Sequence, residues 1–155
     1  SGTSATTFSP DVTTTRGMIV TILYRMENAP AVSGNAVFSD VTAGQYYTEA
    51  VAWAAANGIV GGYGNGTFGP NDPITREQLV TILWRYAGSP ESNYALDSFQ
   101  DQGKISGYAA TAMAWAVEHG IVSGTSATTL SPADASTRAQ LAAILMRFCA
   151  VQMDI

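Results

Sequence analysis

The chain of 155 residues contains one cysteine, Cys149, and one histidine, His119, and only 12% of its residues are charged. A lone cysteine excludes an internal disulfide and a cysteine-built zinc site, and its place in the apolar run Leu145-Met146-Arg147-Phe148-Cys149 predicts a buried thiol. A lone histidine leaves a nucleophilic triad with only His119 as base, and it stands directly before Gly120, where the end of a helix is the simpler reading. Basic residues are also few: seven against twelve acidic, for a formal charge of −5. That balance excludes a general nucleic-acid or anionic-membrane surface, which needs a dense field of lysine and arginine. No run reaches the 18 or so apolar residues of a membrane span, so membrane insertion is not expected. Residues 1–30 lack the basic start and apolar centre of a signal peptide, so the targeting segment of an exported parent is expected outside this chain. What remains is a 46% hydrophobic content, normal for a globular core, and a surface made polar mainly by small hydroxyl residues.

The chain repeats itself with a period of about 60 residues. Phe8-Ser9-Pro10 to Thr15-Arg16, Phe68-Gly69-Pro70 to Thr75-Arg76, and Leu130-Ser131-Pro132 to Thr137-Arg138 align without a gap from proline to arginine. Each leads into one apolar pattern: Val20, Ile22, Leu23; Val80, Ile82, Leu83; Ala142, Ile144, Leu145. A second shared element precedes the later two blocks. Phe38-Ser39-Asp40 leads through Tyr46 and Trp53 to Gly58-Ile59-Val60, and Phe99-Gln100-Asp101 leads through Tyr108 and Trp115 to Gly120-Ile121-Val122. The first block has no such partner, yet Ser1–Thr7 is identical to Ser123–Thr129. The expected organisation is therefore two and a half repeats, 1–30, 31–90 and 91–155, forming one module whose first repeat lacks its first helix. A cut at a glycine-bearing loop, or a permutation completed by a second chain or fragment supplying that helix, would both account for such a start.

Each full repeat reads as helix, loop, helix, so the fold class is all-α. Tyr47, Ala50, Val51 and Ala54 follow the i, i+3, i+4, i+7 spacing of an apolar stripe, with Gly58 as the stop, and Ala109, Ala112, Met113, Ala116 and Val117 repeat it before Gly120. The second helix starts at Thr75 or Thr137. Both fit a capping box with Gln78 and Gln140, whereas Met18 stands at the equivalent position after Thr15 and weakens that start. Glu27 to Ala36 and Ala87 to Ser98, with Pro30, Gly34, Gly88 and Pro90, read as linkers.

Phe38-Ser39-Asp40-Val41, Ala50-Val51-Ala52-Trp53-Ala54, the run Gly58 to Phe68 and Ile74-Thr75-Arg76-Glu77-Gln78 together resemble an S-layer homology repeat, and the likeness spans nearly the whole chain. The resemblance implies tandem repeats in a pseudo-threefold, three-pronged helical spindle. It implies grooves between repeats that bind an acidic, often pyruvylated, secondary cell-wall polysaccharide and anchor surface proteins without a covalent bond. It places the site on Arg16, Arg76 and Arg138, with loop backbone at Gly61, Gly62, Ser123 and Gly124. Departures are Met18, Gln78 and Gln140 where the family has glutamate, and Tyr46 and Tyr108 where it has tryptophan.

The arginines support that placement physically. Arg25, Arg85 and Arg147 fall in the last turn of their helices, where a cation complements the partial negative charge, a structural or solvated role. Arg16, Arg76 and Arg138 fall in the first turn, where a cation faces partial positive charge at a cost of about 0.3–1 kcal/mol. A bound anion would offset that, since free amides and a guanidinium fork both suit a carboxylate. So would an internal pair with Asp11, Asp72 or Asp134, and both roles stay open. Tyr46, Tyr63 and Tyr108 are candidate sugar-stacking rings or core residues, and Trp53 and Trp115 are expected in the core. Asp40 and Asp101 are cap or turn residues, or ligands for a sugar hydroxyl. The glycine run 61–66 lacks the ending of a phosphate loop and reads as a tight turn. Nothing in the placement of carboxylates such as Asp40 and Glu49 marks a separated acid and base, so no enzyme activity and no cofactor are expected. The reading is an extracellular anchoring module at the bacterial surface, with a structural spacer or protein-docking role on the same fold as the alternative.

Overall fold

A computed structural model of the chain describes residues 13–32 and 38–153. It contains five α-helices: α1 (Arg16–Met26), α2 (Thr48–Ala56), α3 (Arg76–Tyr86), α4 (Ala110–Glu118) and α5 (Arg138–Met153), with short 3-10 turns at Gln102–Lys104 and Gly107–Ala109. Among the described residues there is no strand, only isolated bridges, so the all-α class holds. Ser1–Thr7 and Asp11 lie outside the described residues.

The caps explain where the helices begin and end. Thr75 Oγ1 accepts from the Gln78 amide at 3.2 Å and Gln78 Oε1 takes the Thr75 amide at 3.0 Å. Thr137 and Gln140 repeat the exchange at 3.1 and 2.9 Å. At α1 the hydroxyl of Thr15 takes the Met18 amide, and methionine has no oxygen to return the bond, as the sequence predicts. Four helices end alike. After α2, Gly58 takes a positive φ of 70°, its amide donates to Ala55 O and that of Ile59 to Ala54 O, which satisfies two orphan carbonyls. Gly120 does the same after α4 and Gly88 after α3, while α1 uses Asn28 at φ 64°. His119 is the C-cap residue of α4, as expected.

The chain forms two compact units: Thr15–Pro73, and the described residues on either side of it. In the first unit α1 packs on α2, with Tyr24 and Trp53 rings 5.6 Å apart and Ile19, Val20, Leu23, Ala50, Val51 and Ala54 nearly or fully inaccessible. In the second, α3 packs on α4 and α5 adds Phe148, whose ring lies 6.2 Å from Trp115 and 5.9 Å from Tyr86. Trp53 and Trp115 are buried, as expected. The stripe on α4 is wider than predicted, taking in Ala114 and Trp115, because alanines on several sides allow close packing all round. Cys149 is half-buried rather than buried: it lies beside, not on, the α5 face that carries Leu141, Ile144 and Phe148 into the core.

The extended residues before the helices are also tied together. Thr14 N donates to Ser136 O (2.8 Å), Ser136 N to Ile74 O (2.9 Å) and Ile74 N to Thr14 O (2.8 Å). This closed ring takes one residue from each repeat, all three inaccessible to solvent, and satisfies backbone groups that water does not reach.

Candidate functional site

Asp40 and Asp101, in the Phe-x-Asp motifs at 38–40 and 99–101, lie in turns, and Asp101 precedes the 3-10 turn at Gln102–Lys104 without a side-chain capping bond. Each clamps the loop leading to the next arginine block. Asp40 Oδ1 and Oδ2 accept from the amides of Phe68 and Gly69, both at 2.8 Å, and Asp101 accepts from Leu130 (2.9 Å) and Ser131 (2.8 Å). The amide of the middle residue donates to the same loop, Ser39 to Gly66 O and Gln100 to Thr128 O. The phenylalanine ring then packs on a loop glycine. A Cβ on Gly62 would collide with the Phe38 ring and with Thr67 O, and one on Gly124 would collide with Ser126 O, Thr129 O and Phe99. The close approach at Gly62 and Gly124 is thus made by the protein's own rings. Burial alone would raise the pKa of Asp40 and Asp101, but their paired amide donors outweigh it and hold both below the ordinary carboxylate value.

Behind the clamps sit the first-turn arginines. In the Thr15–Pro73 unit, the Arg16 amide donates to Asp72 O and its Nε to Phe68 O at 2.8 Å. Its guanidinium carbon lies 4.6 Å from the centre of the Tyr63 ring and 4.7 Å from that of Phe68, a cation held between two π-faces. Tyr63 Oη donates to Asp72 Oδ2 at 2.8 Å, which fixes the ring in place. Arg16 is 6% exposed.

In the other unit, the Arg76 amide donates to Asp134 O, Nε to Leu130 O (2.8 Å) and Nη2 to Ser123 O (2.9 Å). Among the described residues no carboxylate is in ion-pair contact with it. For Arg76 the internal aspartate pair, one of the two roles left open by the sequence, gives way to carbonyl dipoles. Burial lowers the Arg76 pKa, opposed by the fields of Asp134 and Asp101, and guanidinium stays charged. Arg138, at the start of α5, is half-buried.

Although Arg76 is only 5% exposed, it borders a cleft of about 320 Å³ lined also by Ser123, Gly124, Thr125, Gln140 and Arg147. Its described lining holds two guanidinium groups and no carboxylate, in a chain of net charge −5. Arg147 is a residue that sequence reasoning missed: it was placed in a last turn like Arg25 and Arg85, but α5 runs on to Met153 and Arg147 stands within the helix. The signal was its spacing: seven residues after Gln140, two turns along the same face of α5.

The remaining expected residues fall outside this cleft. Tyr46, Tyr63 and Tyr108 are 56%, 45% and 51% exposed, so the core reading of these rings is wrong. Tyr46 meets Tyr47 edge-on, and Tyr108 Oη lies 3.4 Å from Glu77 Oε2. Glu77, another residue the sequence did not single out, is buried and accepts from the Ser106 amide and hydroxyl, fastening the approach to α4 onto α3. Gly61 is exposed with open space around it.

The sequence profile of the S-layer homology domain matches residues 37–80 and 98–142, more than half of the chain. The chain belongs to that family. S-layer homology domains anchor surface-layer proteins and cell-surface enzymes to the cell wall. An exoglucanase of Acetivibrio thermocellus, XynX, is 33% identical over 93% of the chain. An amylopullulanase of Thermoanaerobacterium thermosulfurigenes is likewise 33% identical over 93%, and a surface-layer 125 kDa protein of Lysinibacillus sphaericus is 31% identical over 90%. The chain spans only 14%, 8% and 12% of these three proteins. No described helix of this S-layer homology chain is long and apolar enough to cross a membrane.

Proposed function

We propose that this chain is a non-catalytic anchoring module that binds an acidic, pyruvylated secondary cell-wall polysaccharide at the bacterial surface. The observation that carries the reading is the doubly cationic cleft between Arg76 and Arg147. A pyruvate ketal carboxylate fits its chemistry: two guanidinium groups for the charge, and the hydroxyl of Thr125, the Gln140 amide and loop backbone at Ser123 and Gly124 for neighbouring sugar hydroxyls. Low local dielectric strengthens these bonds, since Arg76 is largely withdrawn from water. The exposed rings of Tyr46, Tyr63 and Tyr108 offer further faces to sugars, and Arg16 and Arg138 mark the equivalent positions of the other repeats. Asp40 and Asp101 contribute indirectly, by holding the loops.

Pull-down on purified wall sacculi tests this. Retention that disappears when the acidic polymer is extracted is expected, as is at least tenfold weaker retention for Arg147→Ala, an exposed residue whose loss leaves the fold intact. Absence of retention on untreated sacculi would favour a structural spacer or protein-docking role instead.

A further inference from the structure

The chain contains two Asn-Gly pairs, Asn57-Gly58 and Asn65-Gly66, both in the segment after α2. Such a pair is chemically reactive, because glycine has no Cβ to shield its nitrogen from the side-chain carbonyl carbon before it. The fold treats the two in opposite ways. Asn57 is the C-cap of α2: its Nδ2 donates to Trp53 O (2.8 Å), and the Gly58 amide donates to Ala55 O (3.2 Å) in the glycine stop. Electrophile and nucleophile are both committed to the helix end, so joining them would undo the stop.

The second pair is set the other way. Asn65 and Gly66 are exposed, and among the described residues the Gly66 amide donates to no acceptor. Asn65 Oδ1 accepts from the Thr67 amide (3.1 Å) and from Thr67 Oγ1 (2.5 Å), closing a hydrogen-bonded ring that contains the Gly66 nitrogen. The peptide between Gly66 and Thr67 is gripped at its other end too, where Gly66 O accepts from the Ser39 amide (2.8 Å) and hydroxyl (3.3 Å). Two donors on Oδ1 draw charge from Cγ and stabilise the negative oxygen that forms when a nucleophile adds there. Asn65 Nδ2, the group that must leave, is held by no acceptor among the described residues.

We infer that Asn65 is a self-modification site, which the loop itself converts to aspartate and isoaspartate with water as the co-reactant. The Gly66 nitrogen bonds to Asn65 Cγ, the Cγ–Nδ2 bond breaks, and the proton lost by Gly66 leaves with Nδ2 as ammonia. A water then opens the succinimide, its hydroxyl joining a ring carbonyl carbon and its proton the nitrogen. Opening at Cγ yields aspartate, and opening at the backbone carbon yields isoaspartate. Aspartate adds negative charge and keeps an acceptor for both Thr67 donors. Isoaspartate instead lengthens the main chain inside the loop that the bond from Tyr63 N to Thr67 O (2.9 Å) closes. The third repeat lacks this chemistry, since Ala127-Thr128 stands at the matching positions. Glycan binding plays no part in it.

The test is to incubate the folded whole chain in mildly alkaline buffer, digest it at intervals and sequence the peptides by mass spectrometry. Asn65 should convert at least about tenfold faster than Asn57, and labelling by an isoaspartyl methyltransferase should appear at residue 65. Thr67→Val, which keeps the shape of the side chain and removes its hydroxyl donor, should slow Asn65 several-fold, while an unchanged rate at Asn57 reports that the fold is intact. In urea both pairs lose their surroundings and should react alike. Asn57 keeping pace with Asn65 in the folded chain, an unaltered Asn65 rate in Thr67→Val, or a lead of Asn65 that persists in urea would each overturn the inference.

Discussion

The loop after α2 and the loop after α4 hold the same register of the repeat but treat their arginines differently. In both, an aspartate grips two amides, a phenylalanine lies on a glycine, and an arginine Nε donates to the carbonyl of the residue that begins the next block. The difference is one side chain. Tyr63 covers the guanidinium of Arg16 and is locked to Asp72, whereas Thr125 at the matching position stops short, bonding to Ser131 Oγ at 2.6 Å and leaving Arg76 at the edge of a cleft. The two guanidinium groups are equally withdrawn from water, at 6% and 5% exposure, but the loop residue at this position lies on one and not on the other, a difference absent from the threonine-arginine signature that all three blocks share.

The largest effect expected concerns what is common to both loops. Asp101→Ala should destabilise the chain by about 2–3 kcal/mol, since it leaves two amides without a charged acceptor. Asp40→Ala should do the same, and a lowered urea midpoint would show it. If either variant unfolds no earlier than the parent, the clamp is dispensable. Next in size, Thr125→Tyr should close the cleft over Arg76 and weaken sacculus retention about tenfold with little change in stability. The two regions would then behave alike; undiminished retention would place the polymer elsewhere.

Acid should reveal the clamps without mutation. Both aspartates titrate below the ordinary value of 3.8 in the folded chain, so the unfolded chain binds protons first as pH falls. Their contribution is complete above 3.8 and is lost as pH drops through the lower folded-state values. Urea midpoints should fall steeply in that window, and Asp101→Asn should flatten the slope. The smallest effect separates the loops by backbone. Gly69 and Ser131 occupy one position at φ 73° and 53°, a conformation that suits glycine and costs serine about 1 kcal/mol. Ser131→Gly should recover part of that in thermal melts, while Gly69→Ala should cost more, because its Cβ would strike Tyr63 and Asp72.

Much of this was legible beforehand. The capping boxes at Thr75 and Thr137, the glycine stops at Gly58 and Gly120 and the tryptophan cores depend on residues a few positions apart, so spacing suffices to find them. The partners of Asp40 and Asp101 stand 28–30 residues away, and only the recurrence of both elements in the repeat hinted at them. Arg147 was misjudged because the sequence places the end of its helix too early: α5 runs on to Met153, so no helix end explains the residue, and its cleft comes from a loop some twenty residues upstream.

Sequence by itself determined the repeat, the helices with their caps, the apolar faces and the placing of a cation where a helix repels one, because each depends on short-range geometry. Tertiary structure alone decided which carbonyls quiet those cations and which residues line the cleft at Arg76. Those outcomes follow from how segments distant along the chain exclude water from one another, a property no single stretch of residues possesses.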